Sequence, residues 1–160
     1  TNVTIDPDTR SLTITAEFAA PPERVWEIYA DPRQVEKIFG PPGYPATFVD
    51  HDLSVGGKVT YYMTSPEGDR YGGWWTVTEV DAPRRLAYDD GFADSDLNPL
   101  PDMPVSHVVM TFEASETGTR WVSVTSYDTA EDLEKVIEMG VEDGSTMAIN
   151  QIDDLLGDAA

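Results

Sequence analysis

Residues 128–156, DTAEDLEKVIEMGVEDGSTMAINQIDDLL, decide the fold of this chain. Asp128 and Thr129 supply a polar helix start, and Glu131 and Asp132 place acids in the first turn, where they favour the positive end of the helix dipole. Apolar or small residues then recur at Leu133, Val136, Ile137, Gly140, Val141, Gly144, Met147, Ala148, Ile152, Leu155 and Leu156. This three-and-four spacing predicts one long helix with a single buried face. Gly140 and Gly144 sit four apart on that face, and each costs about 1 kcal/mol of helix propensity relative to Ala. The spacing predicts that they let a strand or a ligand approach closely. Met139 and Met147 flank them with flexible, polarizable side chains.

Working outward, the rest of the chain supplies the sheet that such a helix covers. Residues 1–10 read as a polar lead-in. Leu12, Ile14, Ala16 and Phe18 alternate with polar residues, which predicts a half-buried strand. The segment at Pro21-Pro22 opens a short helix carrying Val25, Trp26, Ile28 and Tyr29. Asp31-Pro32 breaks it, and a second short helix carries Val35, Ile38 and Phe39. Strands are then expected over residues 48–53, 58–63, 71–80, 85–88, 105–113 and 119–127. Residues 89–104, Asp-rich and with three prolines, read as a long loop. Its Phe92, Leu97, Leu100 and Met103 would give it the apolar underside of a lid. Seven strands with short links and one long helix predict an α+β fold, a single domain over residues 1–160 with its core at about 12–156.

The totals narrow the partners. The chain has 160 residues, 40% of them hydrophobic, enough for a globular core. It has no cysteine, so disulfides and thiolate chemistry are excluded. Thirty acids against ten bases give a net charge of −20, and the only lysines are Lys37, Lys58 and Lys135. Nucleic acid and anionic membrane are therefore disfavoured as partners, since both bind through clustered Lys and Arg. The acidity fits either adaptation to a salt-rich cytoplasm or ordinary solubility. With no signal peptide or long apolar run, a cytoplasmic location is expected.

The order of elements, with local wording, resembles the START-like, SRPBCC superfamily. Within it, the chain is similar to the family named for the activator of heat-shock protein 90 ATPase. The residues that carry the resemblance are Phe18-Ala19-Ala20-Pro21-Pro22-Glu23-Arg24-Val25-Trp26, Asp31-Pro32, Phe39-Gly40-Pro41, Asp52-Leu53-Ser54-Val55-Gly56-Gly57, Met63 with Pro66-Glu67-Gly68, Pro83-Arg84-Arg85-Leu86, and Gly140-Val141-Glu142-Asp143-Gly144. It departs from the family at Ala16, Ile38 and Ser145, where the family usually has Arg, Trp and an aromatic. The resemblance implies a helix-grip (START-like, Bet v 1-like) fold, a curved antiparallel sheet around the C-terminal helix with a hydrophobic cavity between them. It implies a binder of small apolar molecules, a polyketide cyclase or hydrolase, or a chaperone-associated partner domain.

Extending the inward parity of Leu12, Ile14 and Phe18 to the other strands gives a candidate ligand-binding lining of Phe48, Tyr61, Met63, Trp75, Tyr88, Met110 and Trp121. Trp26 and Phe39 from the short helices, Phe92 from the loop, and Met139, Gly140, Gly144 and Met147 from the long helix close it. Such an aromatic, Met-rich lining suits a small apolar or aromatic ligand and equally suits a solid core. Whether Trp74 or Trp75 faces inward stays open, because a one-residue slip exchanges them. An outward Trp would leave an exposed aromatic on the bare sheet face, from which a homodimer is expected. No nucleophile–base pair is evident, so no catalytic residue is assigned; for an enzyme, Tyr61, Tyr88 or a carboxylate would serve as acid–base. His51 and His107 read as structural. Asp89, Asp90, Asp94 and Asp96 lack the spacing of a calcium loop and read as solvated. No metal or other cofactor is implied.

Overall fold

In the computed structural model, residues 2–40 and 43–158 are described, with backbone alone at residues 141, 142, 144, 145, 157 and 158. The elements run β1 (Asn2–Asp6), β2 (Ser11–Phe18), α1 (Pro22–Ala30), α2 (Pro32–Phe39), β3 (Ala46–His51), β4 (Lys58–Thr64), β5 (Arg70–Asp81), β6 (Arg85–Ala93), β7 (Ser106–Ser115), β8 (Gly118–Tyr127), α3 (Ala130–Glu138) and α4 (Val141–Asp158). The eight strands form one antiparallel sheet in the order β1-β2-β8-β7-β6-β5-β4-β3. From β3 to β8 the chain is an unbroken meander. The α1–α2 pair carries it across the sheet from β2 to the far edge. This is the α+β helix-grip architecture.

Side-chain parity explains how the sheet encloses a core. Leu12, Ile14, Ala16 and Phe18 of β2 are all buried, as are Val59 and Tyr61 of β4, Trp75 and Val77 of β5, and Val108, Met110 and Phe112 of β7. Strand residues two apart share a face, so each strand sends one set inward. Trp75 is the inward tryptophan. Trp74 lies on the outer face directly opposite Gly91, and a Cβ on that glycine would overlap its indole. Trp74 is thus half-buried rather than bare, and the homodimer expected from an exposed aromatic loses its anchor.

The short helices are held by local chemistry. Asp31 caps α2 by accepting from the Arg33 N–H at 2.9 Å, and Pro32 occupies the first turn, where its missing N–H costs nothing. Arg33 donates to the Phe48 carbonyl and Glu36 accepts from the Phe48 N–H at 2.7 Å, which fixes α2 to β3. Gln151 of α4 donates to the Gly40 carbonyl at 2.7 Å and joins the last helix to the end of α2.

Three expectations are corrected. First, residues 2–6 are not a lead-in but an edge strand paired with β2, with Val3 opposite Ile14 and Ile5 opposite Leu12. Second, β6 continues through Ala93, so Asp89, Asp90 and Phe92 belong to a strand. The remaining loop is tied down by Asp94, which accepts from the backbone of Asp96 and Asn98, and by Leu100 donating to Phe92. Leu97, Leu100 and Met103 do not reach the cavity, so they form no apolar underside.

Third, the long helix is two helices. α3 is capped by Thr129, which accepts from the Asp132 N–H, and it stops at Met139. Gly140 follows with φ +83°, the left-handed position that terminates many helices. A Cβ at Gly140 would meet nothing within 4 Å, so this glycine serves backbone conformation and not close packing. The surroundings of Gly144 lie outside the described residues. Gly140→Ala is accordingly expected to lower stability by about 1 kcal/mol through backbone strain alone. Urea unfolding checks this; an unchanged or raised midpoint would refute the role in chain reversal.

Candidate functional site

Between the inner face of the sheet and the helices lies a cavity of about 370 Å³, within the size range of small-molecule sites. β2 supplies Leu12 and Ile14, β4 supplies Tyr61 and Met63, and β6 supplies Tyr88, Asp90 and Phe92. β7 and β8 contribute Val108, Met110, Trp121 and a row of hydroxyls. Ile38 and Phe39 of α2 close one end. Val136, Met139, Gly140, Ala148 and Ile149 cover the remaining side. The break between α3 and α4 therefore lines the cavity, and Met139, 53% exposed, marks its side open to solvent.

Of the residues singled out from the sequence, Phe39, Tyr61, Met63, Tyr88, Phe92, Met110, Trp121, Met139 and Gly140 line this space. Trp26, Phe48, Trp75 and Met147 do not. Trp26 packs edge-on against Phe112 at 5.4 Å. Phe48 and Trp75 are core residues behind Tyr61, and Trp75 stacks on Tyr88 at 4.0 Å. Met147 is 51% exposed: once the helix breaks at Gly140, the phase carried over from α3 no longer applies in α4.

The residue that sequence reasoning misplaced is Asp90. It faces into the cavity from β6, with Tyr88 and Phe92 on the same side. Asp90 is half-buried and borders the cavity. The Tyr61 hydroxyl donates to its Oδ1 at 3.0 Å. Desolvation pushes its carboxyl up to about 7, opposed by the bond from Tyr61. Burial in turn pushes the Tyr61 and Tyr88 hydroxyls well above the ordinary range, with the Asp90 charge adding to it. Tyr127 is pushed up to about 12, by burial first and Asp90 second.

Register places these groups in a line. Asp90 pairs with Ser106, and Ser106 with Tyr127, across β6, β7 and β8. The next inward row is Tyr88, Val108 and Thr125, followed by Leu86, Met110 and Ser123. One wall of an otherwise apolar cavity thus carries a carboxyl and several hydroxyls. Among the described residues, no Lys, Arg or His lines it. Among the described residues, no group of three His, Asp or Glu is placed to hold a metal ion.

On the opposite face of the sheet, His107 lies between two carboxylates. Its Nδ1 is 2.7 Å from Asp89 and its Nε2 is 2.9 Å from Asp128. The bonds to Asp89, then to Asp128, raise its pKa. The cluster clasps β6, β7 and the turn into α3. His51 donates to the Tyr29 carbonyl at 2.9 Å and ties β3 to α1. Both histidines join neighbouring elements in this geometry.

The profile of the Activator of Hsp90 ATPase homolog 1-like family matches residues 19–157. The chain belongs to that family. A crystal structure of a Mycobacterium smegmatis protein is 57% identical, with TM-score 0.91, covering 98% of this chain and 96% of its own. A solution structure from Arthrobacter aurescens is 43% identical, with TM-score 0.94, covering 98% and 91%. One from Staphylococcus epidermidis is 28% identical, with TM-score 0.84, covering 98% and 95%. No curated protein matches the chain. Among the described residues, no helix is long and apolar enough to cross a membrane.

Proposed function

We propose that this protein binds one small hydrophobic or aromatic molecule in the cavity between the sheet and the α3–α4 pair, without chemical conversion. The observation that carries the reading is the cavity itself. A core built only for stability is packed to crystal-like density, and unfilled space of this size forfeits dispersion contacts unless something occupies it. Its lining combines aromatic faces with a few polar groups on one wall, the usual composition of a small-molecule site.

The test is titration with an apolar fluorescent probe, beside native mass spectrometry for a co-purified small molecule. One equivalent of probe is expected to bind. Ser123 sits buried at the centre of the β8 wall, so Ser123→Phe fills the space and is expected to weaken binding by roughly tenfold or more, with the far-ultraviolet spectrum unchanged. A parent protein that takes up no probe, or a folded Ser123→Phe that binds it equally well, would overturn the reading.

A second reading is favoured by one observation. A carboxyl poised near 7 and bonded to a tyrosine has the acid–base character that a cyclase or hydrolase needs. In that case Asp90 would exchange the proton and Tyr61 would orient it. Turnover of a polyketide or lactone that is lost in Asp90→Asn would support it.

A further inference from the structure

Asp90 is the only carboxylate among the described residues that line the cavity, and no basic side chain lines it to compensate. Its protein partner is a neutral hydroxyl, that of Tyr61. An ionised carboxylate in such surroundings is costly unless a cation or several donors join it. Among the described residues, the groups that face it are uncharged: Tyr61 from β4, Trp75 from β5, Tyr88 beside it on β6, Ser106 from β7 and Tyr127 from β8. The linings from α2, α3 and α4, namely Ile38, Phe39, Val136, Met139, Gly140, Ala148 and Ile149, carry no charge either. The missing counter-charge must come from the ligand or from a proton.

Three features select the ligand. Tyr61, Tyr88, Phe92 and Tyr127 line the same cavity as the carboxyl, and aromatic faces attract ammonium groups by their quadrupole. The net charge of −20 raises the local concentration of cations and repels anions from the mouth. The remainder of the lining is apolar. Building on the binding function proposed above, we infer that the cavity takes an amphipathic amine: an apolar or aromatic body carrying one protonated amino group that pairs with Asp90. Once Asp90 is ionised, the same carboxylate disfavours fatty acids and other organic anions.

The pairing links binding to pH. The empty site holds a proton on Asp90 up to about pH 7, and an ammonium must displace it. Affinity for an amine therefore rises with pH through that range, while affinity for a neutral molecule of the same shape does not.

The experiment compares 1-naphthylmethylamine, charged at pH 8, with 1-naphthylmethanol, by fluorescence titration of the full chain. At pH 8 the amine is expected to bind roughly ten- to a hundredfold more tightly, the range of a hydrogen bond to a charged group. In Asp90→Asn this preference disappears. At pH 5.5 the parent loses at least about tenfold in affinity for the amine and none for the alcohol. Equal binding of both probes at pH 8, or a preference that survives Asp90→Asn, overturns the assignment to amines and leaves the cavity as an apolar binding site. Failure of both probes to bind overturns the amine assignment together with the binding function beneath it.

Discussion

Replacing Asp90 by Asn raises the stability of the ligand-free protein, and does so far more at pH 8 than at pH 5. The folded pKa of about 7 lies above the ordinary value of 3.8 that the unfolded chain restores. A group raised in the fold contributes stability that is complete below the unfolded pKa and lost as pH rises through the folded one. For Asp90 that window runs from about pH 4 to about pH 7. Above it the native state carries an ionised carboxylate that it holds poorly. A displacement of about three pH units corresponds to roughly 4 kcal/mol. Asn has nearly the same shape, cannot ionise, and keeps an oxygen to accept from Tyr61. Its advantage over Asp is therefore expected to be about 4 kcal/mol at pH 8 and about 3 kcal/mol smaller at pH 5. For a chain of this size the larger figure raises Tm by roughly 10 °C. Taking the difference between variant and parent at each pH removes the repulsion that all the other acids contribute to both. Melts at pH 5 and pH 8 check it, both above the isoelectric point of about 4.1. A difference in Tm that is the same at the two values would show that Asp90 is solvated and unperturbed by the cavity.

Such a result would also expose a conflict between function and stability. An acid held in an apolar cavity weakens the empty protein at neutral pH. Positions of this kind persist where a binding partner recovers the loss, and the stability of the complex then exceeds that of the empty form by the affinity of the ligand. Ligand-dependent stabilisation should for this reason be largest where Asp90 is ionised.

How much of this was legible in the sequence differs from element to element. The inward parity of Leu12, Ile14 and Phe18 carries correctly to Tyr61, Trp75, Met110 and Trp121, because strand periodicity is 2 and the sheet preserves it from neighbour to neighbour. Asp90 was legible too: Leu86, Tyr88, Asp90 and Phe92 alternate without a break. The composition Asp-Asp-Gly competes with that pattern, since those residues also signal a turn. Cross-strand pairing with β5 and β7 decides in favour of the strand, and pairing is a tertiary fact. The interruption at Gly140 is hidden for a related reason. Apolar spacing continues on both sides of it, so periodicity alone reads through, and only the positive φ reveals two helices. β1 offers two apolar residues, Val3 and Ile5, too few to show an alternation against a polar background.

The same limit applies to Gly73, whose reason to be a glycine lies across the sheet. It is directly opposite Tyr61, and the tyrosine ring rests on its backbone. A Cβ at this position would overlap the ring and its hydroxyl. The ring cannot simply swing aside, because Phe39 at 4.8 Å, Phe48 at 5.1 Å and Trp75 at 6.2 Å enclose it. Gly73→Ala is therefore an overpacking change, expected to destabilise by roughly 1–3 kcal/mol even though Ala suits a strand better than Gly does. It has a second consequence at the cavity. The hydrogen bond from Tyr61 is the interaction that holds the Asp90 carboxyl down against desolvation, so displacing the ring raises the Asp90 pKa further. The two effects separate in a cycle with Tyr61→Phe, which keeps the ring and removes the hydroxyl. In that background Gly73→Ala should still destabilise but no longer move Asp90. Urea unfolding at pH 5 reads the first effect and carboxyl-carbon NMR titration of Asp90 reads the second. A Gly73→Ala protein with parental stability would mean that the aromatic cluster yields easily. An unchanged Asp90 titration in it would mean that Tyr61 does not depend on this glycine for its reach to the acid.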